Sequence, residues 1–178
     1  MTDIILLNGG PRKNGNTMRI AEWVAEGARA QGAQVTVIHL ADRHIEHCRG
    51  CDACARTGGC IIQDDHAAIC EQLDRAQGAI VCSPIFGGSY SAMMKTFFDR
   101  LTNTIGFTGR FDHLCTVGIT TAKFDFRLKV AKDLAALNSS WSGAGYATGY
   151  IHKSVLDKKK SRNLTLSPEN SPVLYANA

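Results

Sequence analysis

Short, unbroken apolar runs alternate along this chain with longer stretches in which apolar residues return at helical spacing. Residues 4–8 (IILLN) form the first run and stop at Gly9-Gly10-Pro11. A segment this uniformly apolar fits a strand covered on both faces. Runs at 35–40 (VTVIHL), 79–83 (AIVCS) and 114–120 (LCTVGIT) share that character, and 145–151 (GYATGYI) is a weaker, glycine-rich fifth. The intervening pattern is helical. Residues 17–30 place Ile20, Trp23, Val24 and Gly27 on one stripe, and 66–75 turn Ile69, Cys70 and Leu73 inward behind Asp65 as the expected cap. Residues 91–101 group Met94, Phe97, Phe98 and Leu101, and 126–137 form a fourth helix.

Regular alternation of strand and helix predicts an α/β fold with a parallel sheet covered on both faces by right-handed crossovers. Five strands suit the flavodoxin-like three-layer sandwich, with strand order 2-1-3-4-5. Residues 1–152 are read as this domain. Residues 153–178 decay into Lys, Ser, Asn and Pro and are read as a surface arm, partly disordered. The KKKSR run at 158–162 reads as solvated charge.

Composition narrows the classes. The 178 residues suffice for one domain with a sizeable core. A net charge of +4, from 20 basic and 16 acidic side chains, does not point to nucleic acid. The first apolar run is too short for a secretory signal and no stretch is long enough to span a bilayer, so a cytoplasmic location is expected. Seven cysteines in a reducing compartment should be thiols, metal ligands or redox groups.

Two loops carry ligand chemistry. In an open parallel sheet, ligands sit at the carboxyl ends of the strands where the order reverses, here between strands one and three. The loop NGGPRKNGNT (8–17) follows strand one. Its glycines let main-chain N–H groups face an anion. Arg12, Asn14, Asn16 and Thr17 add donors at a helix N-terminus, where the dipole favours negative charge. It is neither a Walker loop nor a GxGxxG fingerprint, and a plain helix-capping turn is the competing reading. Across the crevice, SPIFGGSY (83–90) follows strand three. It offers a stiff Pro84, side-chain-free Gly87 and Gly88, and aromatic Phe86 and Tyr90, a surface on which a planar flavin can lie. A tight turn with core aromatics is the alternative.

NGGPRKNGNT, a CxxCxxC segment followed by a fourth Cys and Asp64-Asp65, and SPIFGGSYSAMMKTFFDR together resemble the NAD(P)H-dependent FMN reductase family, and within it the iron–sulfur flavoprotein branch. The resemblance covers roughly the first two-thirds of the chain. It implies that Gly10, Arg12, Asn14, Asn16 and Thr17 surround the FMN phosphate. It also implies that Pro84, Ile85, Phe86, Gly87 and Gly88 line the isoalloxazine, and that Thr120 and Thr121 approach it from the third loop. Lys95, Asp99 and Arg100 match the family's K…DR helix and read as structural. Two positions depart from the family: Gly10 stands where Ser is usual, and Ile85 where an aromatic is common. The implied activity is electron transfer from NAD(P)H through FMN to a quinone, free flavin or other acceptor, in a homodimer or dimer of dimers. No general acid or base is implied. An electron carrier serving a ferredoxin-like partner, and a cysteine-loop interaction protein, are the other classes.

The cysteine segment, HCRGCDACARTGGC (47–60), has the spacing C-x2-C-x2-C-x5-C. Gly50, Gly58 and Gly59 permit a loop that brings Cys48, Cys51, Cys54 and Cys60 around one point. The resemblance implies a 4Fe–4S cluster there. Zinc, a Cys51/Cys54 redox dithiol beside Arg49 and Arg56, and thiols merely retained from a cluster-binding relative stay open. Cys70, Cys82 and Cys115 lie in apolar patterns and read as core residues. His44 and His47 read as surface residues.

Overall fold

The computed structural model describes residues 1–101, 109–121, 127–136, 146–148 and 175–176. In chain order these form β1 (Asp3–Asn8), α1 (Asn16–Ala30), β2 (Gln34–His39), α2 (Ala53–Thr57) and α3 (Asp65–Arg75). There follow β3 (Gly78–Phe86), β4 (Ser89–Tyr90), α4 (Ala92–Asp99), β5 (Cys115–Thr121), α5 (Arg127–Ala135), β6 (Tyr146–Thr148) and β7 (Tyr175–Ala176).

The main sheet runs β2-β1-β3-β5-β6-β7. The first five of these are parallel, so the order expected from the sequence holds once the short hairpin strand β4 is set aside. Of the predicted C-terminal arm, Tyr175–Ala176 are described, and they add an antiparallel edge to β6. The predicted strand at 145–151 is described over 146–148 only.

Period-two alternation divides the core. Leu6, Ile80, Cys82 and Ile119 face α1, where Ile20, Ala21 and Ala25 cover them. Ile5, Leu7, Ala79 and Val81 face the opposite layer, built from Ile69 and Leu73 of α3, Met94 and Phe97 of α4, and Val130 and Leu134 of α5. The α1 face is rotated from the predicted stripe. Gly27 is exposed and Trp23 flanks the contact, because small Ala21 and Ala25 let the helix lie close to the sheet. A comparable close approach fixes Gly118 on β5, where a Cβ would fall 1.9 Å from the Ala131 carbonyl oxygen of α5.

Three local expectations are corrected. Pro84 does not end β3, which continues to Phe86. The Cys82 carbonyl accepts from Gly9 N–H on the β1 side, and two residues later β1 has already turned away, so proline's missing N–H removes no ladder bond. Asp64, not Asp65, caps α3, its carboxylate accepting the His66 N–H at 3.1 Å. Cys115 is exposed, whereas Cys70 and Cys82 are buried as expected.

Candidate functional site

β1 ends on a fully buried asparagine, and the first loop is organised around it. Asn8 Oδ1 accepts the Gly10 N–H at 2.8 Å and the Cys82 thiol at 3.5 Å. Its amide nitrogen must then donate to His39 Nδ1, 3.0 Å away at the end of β2. A Cβ at position 10 would be a tight fit, 3.0 Å from Asn8 Oδ1 and 3.3 Å from the Pro84 ring, and would need those side chains to give slightly. Gly9 is a second close approach, since its Cβ would come within 2.8 Å of Met94 Cβ on α4.

Ser91 ties this loop to the second one. Its hydroxyl donates to the Gly9 carbonyl and accepts the Met94 N–H as the α4 cap, while its own N–H donates to Ser83 Oγ at 2.9 Å. The third loop joins through β5: Thr120 donates to the Ser83 carbonyl at 2.7 Å, and the Thr121 and Thr17 hydroxyls meet at 2.5 Å. All three strand ends are therefore cross-linked before any ligand is considered.

Between them opens a cleft of about 230 Å³. Gly10, Arg12, Asn16 and Thr17 line it from the first loop, Pro84 and Phe86 from the second, and Thr121 from the third. Phe86 is 55% exposed despite its size. The remaining predicted positions sit elsewhere. Asn14 is exposed on the first loop outside the lining. Ile85 pairs with Tyr90 and packs against the core. Gly87 and Gly88 form the two-residue turn of the β3–β4 hairpin, with φ of 58° and 85°, so glycine is explained there by left-handed backbone. Thr120 is buried beneath the loops. Asn8 and Ser91 were missed in the sequence, although a lone polar residue closing an apolar strand and a serine before a helix are both legible signals.

The cysteine segment lies in the connection from β2 to α3. Its two ends are stitched together. Asp65 accepts the His44 N–H at 2.8 Å, and Asp64 accepts the Glu46 N–H at 2.8 Å. Arg100, at the end of α4, pairs with Asp64 and donates to the carbonyls of Glu46 and Ile62 at 3.4 and 3.2 Å. The Arg100 and Asp64 side chains are fully shielded from solvent. Burial opposes ionisation of Asp64, yet the Arg100 contact and the Glu46 and His66 N–H groups hold its carboxyl below the usual range.

Beside them His66 is buried, its Nε2–H directed at the Phe97 carbonyl at 3.3 Å and its Nδ1 3.6 Å from the Cys70 sulfur. Burial, reinforced by the Arg100 charge, pushes its pKa down to about 4. Burial pushes the Cys70 and Cys82 thiols up to about 12, so neither is a reactive thiol.

Within the stitched ends, Cys48 and Cys51 are exposed and Cys54 and Cys60 half-buried. Cys54 lies on α2, flanked by left-handed Asp52 and Gly58. Among the described residues no three Cys, His, Asp or Glu side chains stand close enough together to hold a metal ion, so the four sulfurs are not gathered as the sequence suggested. His44 and His47 are surface residues, and His47 reaches Thr96 Oγ1 at 3.1 Å.

Comparison with known proteins follows the same lines. The chain is 33% identical over 97 residues to an iron-sulfur flavoprotein of Archaeoglobus fulgidus, covering 54% of this chain and 47% of that one. It is 33% identical over 94 residues to an iron-sulfur flavoprotein of Methanosarcina thermophila, covering 53% and 49%. The chain thus matches about half the length of these relatives. Among solved structures, an NADH:FMN oxidoreductase in its apo form superposes with a TM-score of 0.61 at 16% identity, covering 96% of this chain and 94% of that one. A flavone reductase superposes at 0.62 and 19% identity, covering 90% and 59%; both likenesses speak to the fold. The family model described as NADPH-dependent FMN reductase matches residues 2–132, and with the sheet order and the cross-linked loops it places this chain in the NADPH-dependent FMN reductase family.

Proposed function

We propose that the chain binds FMN across its three strand-end loops and transfers electrons from NAD(P)H to an acceptor such as a quinone or free flavin. One observation carries this reading. The cleft lies where the strand order reverses, and it joins a glycine-rich, cationic first loop to Pro84 and Phe86 of the second. The residues fit the cofactor. Arg12 and Asn16 supply donors for a phosphate at the N-terminus of α1. The absence of a Cβ at Gly10 lets main chain approach, and Pro84 and Phe86 give apolar cover to a flat ring. Bound FMN supplies one- and two-electron redox chemistry. The protein's part is to bind, orient and exclude water. Arg12 is the one ionisable side chain among the described residues that line the cleft, and the redox chemistry itself belongs to the flavin.

For the four-cysteine loop we propose a 4Fe–4S ligand set. The donor chemistry fits, with four thiols inside thirteen residues and the ends of the segment held together by Asp64, Asp65 and Arg100. Ligation would fold the loop around the metal while its stitched ends stay fixed. Exposure of Cys48 and Cys51 favours a second reading, in which a protein donor such as a ferredoxin delivers single electrons there.

Anaerobic purification with flavin and iron analysis, followed by NAD(P)H oxidation assays, tests these readings. Stoichiometric FMN with NAD(P)H-driven reduction supports the enzyme. FMN and iron with reduction by ferredoxin alone supports the carrier. A colourless protein that takes up no FMN refutes both.

A further inference from the structure

We infer that His39, at the end of β2, is a positioning residue for phosphate binding: it holds the Asn8 amide, and Asn8 holds the first loop. This rests on the proposal that the loop binds the FMN phosphate. The three residues involved stand side by side, with Asn8 of β1 in register with His39 of β2 and Cys82 of β3. Asn8 is fully buried and His39 half-buried. A main-chain N–H can only donate, so the 2.8 Å contact from Gly10 N fixes the Asn8 oxygen on the loop side. The Asn8 nitrogen therefore faces His39 Nδ1 at 3.0 Å, and as a donor it requires that ring nitrogen to accept. The ring proton then sits on Nε2.

Without an acceptor at His39, neither orientation of the amide satisfies both of its sides. One leaves a buried donor unmade; the other sets nitrogen against the Gly10 N–H and the Cys82 thiol. The loop depends on that bond. With its N–H committed to Asn8, Gly10 fixes the direction in which the chain enters Pro11 and Arg12, and the Gly15 N–H closes the turn on the Arg12 carbonyl at 3.2 Å. Arg12 and Asn16, the donors that line the cleft, are thus placed from the base of the loop. A second tie to the same end of β2, between Lys13 and Asp42 at 2.6 Å, is a solvent-exposed ion pair and holds little. The buried link through His39 is the one that sets the loop.

The test compares wild type, His39→Phe and His39→Asn, each titrated as apo-protein with FMN and with riboflavin. Phenylalanine keeps a ring and has no acceptor; His39→Leu takes its place if that variant does not fold. Asparagine carries an amide oxygen as far from the backbone as Nδ1 and can accept from Asn8. His39→Phe should lose about tenfold of the preference for FMN over riboflavin, the worth of about one hydrogen bond, with riboflavin affinity unchanged. His39→Asn should keep the wild-type preference. A preference unchanged in His39→Phe, or an equal loss for both ligands, overturns the role of His39 and leaves the phosphate reading intact. So does a loss in His39→Asn as large as in His39→Phe, because the acceptor would then not be what matters. Wild type that binds the two ligands equally overturns the phosphate reading and this inference with it.

Discussion

The two candidate sites on this chain are built by opposite strategies. The cleft at the ends of β1, β3 and β5 is assembled from main chain and small polar groups; Asn8 braces the first loop through Gly10, and the loops are bonded to one another by Ser91 to Gly9 and Ser83 and by Thr17 to Thr121. Its shape needs no ligand. The cysteine loop is closed at its base by Asp64, Asp65 and Arg100, while among the described residues its donor atoms are not gathered into a metal-holding group. A pre-formed cleft suits a large cofactor held by many weak contacts. A loop fixed at its ends suits metal, because a few strong bonds can gather the ligands themselves.

That contrast can be broken at several points. The largest effect is expected at the loop's base. Arg100→Met leaves the Asp64 carboxylate buried and unpaired, and should cost about 3–5 kcal/mol in denaturant unfolding of the apo-protein. A loss below 1 kcal/mol would mean the base is not closed by this pair.

Acid should attack the same region. His66 has its ordinary value of 6.5 when unfolded and about 4 when folded, so between those values the unfolded chain binds the extra proton. Stability from keeping His66 neutral is complete above pH 6.5 and is lost as pH falls towards 4, by about 3 kcal/mol in all. His66→Gln should flatten this part of the stability–pH curve. An equally steep curve in the variant would assign the acid sensitivity to other groups.

At the cleft, Arg12→Ala should leave stability nearly unchanged and weaken FMN binding by about 1.5–3 kcal/mol, the worth of a charge-assisted hydrogen bond. Isothermal titration measures it. The smallest effect is expected for Cys48→Ser/Cys51→Ser, both exposed, which should change apo-protein stability by less than about 0.5 kcal/mol. A large loss would show that these thiols have structural work independent of metal.

Much of this was readable in the sequence, for definable reasons. Apolar runs and helical periodicity give the alternation of strands and helices, and five such strands suit the flavodoxin-like order. The loops at strand ends are marked by glycine, proline and polar clusters that few other local structures require. The unread parts depend on distances between segments far apart in the chain. Nothing in the pattern shows that Asn8 folds back to accept the Gly10 N–H, or that Arg100 spans 54 residues to reach Glu46. Gly87 and Gly88 were legible as special, but the hairpin explains them without a ligand. Cysteine spacing carried the identity of four possible ligands but not their convergence, because spacing limits reach and leaves loop conformation open.

The central claim is that the first loop grips a phosphate. Titrating the apo-protein with FMN and with riboflavin, by quenching of flavin fluorescence, isolates that contribution, since the two ligands share a ring and ribityl chain. Two charge-assisted hydrogen bonds worth about 1.5 kcal/mol each predict FMN binding roughly a hundredfold tighter than riboflavin. Equal affinity for the two would contradict it.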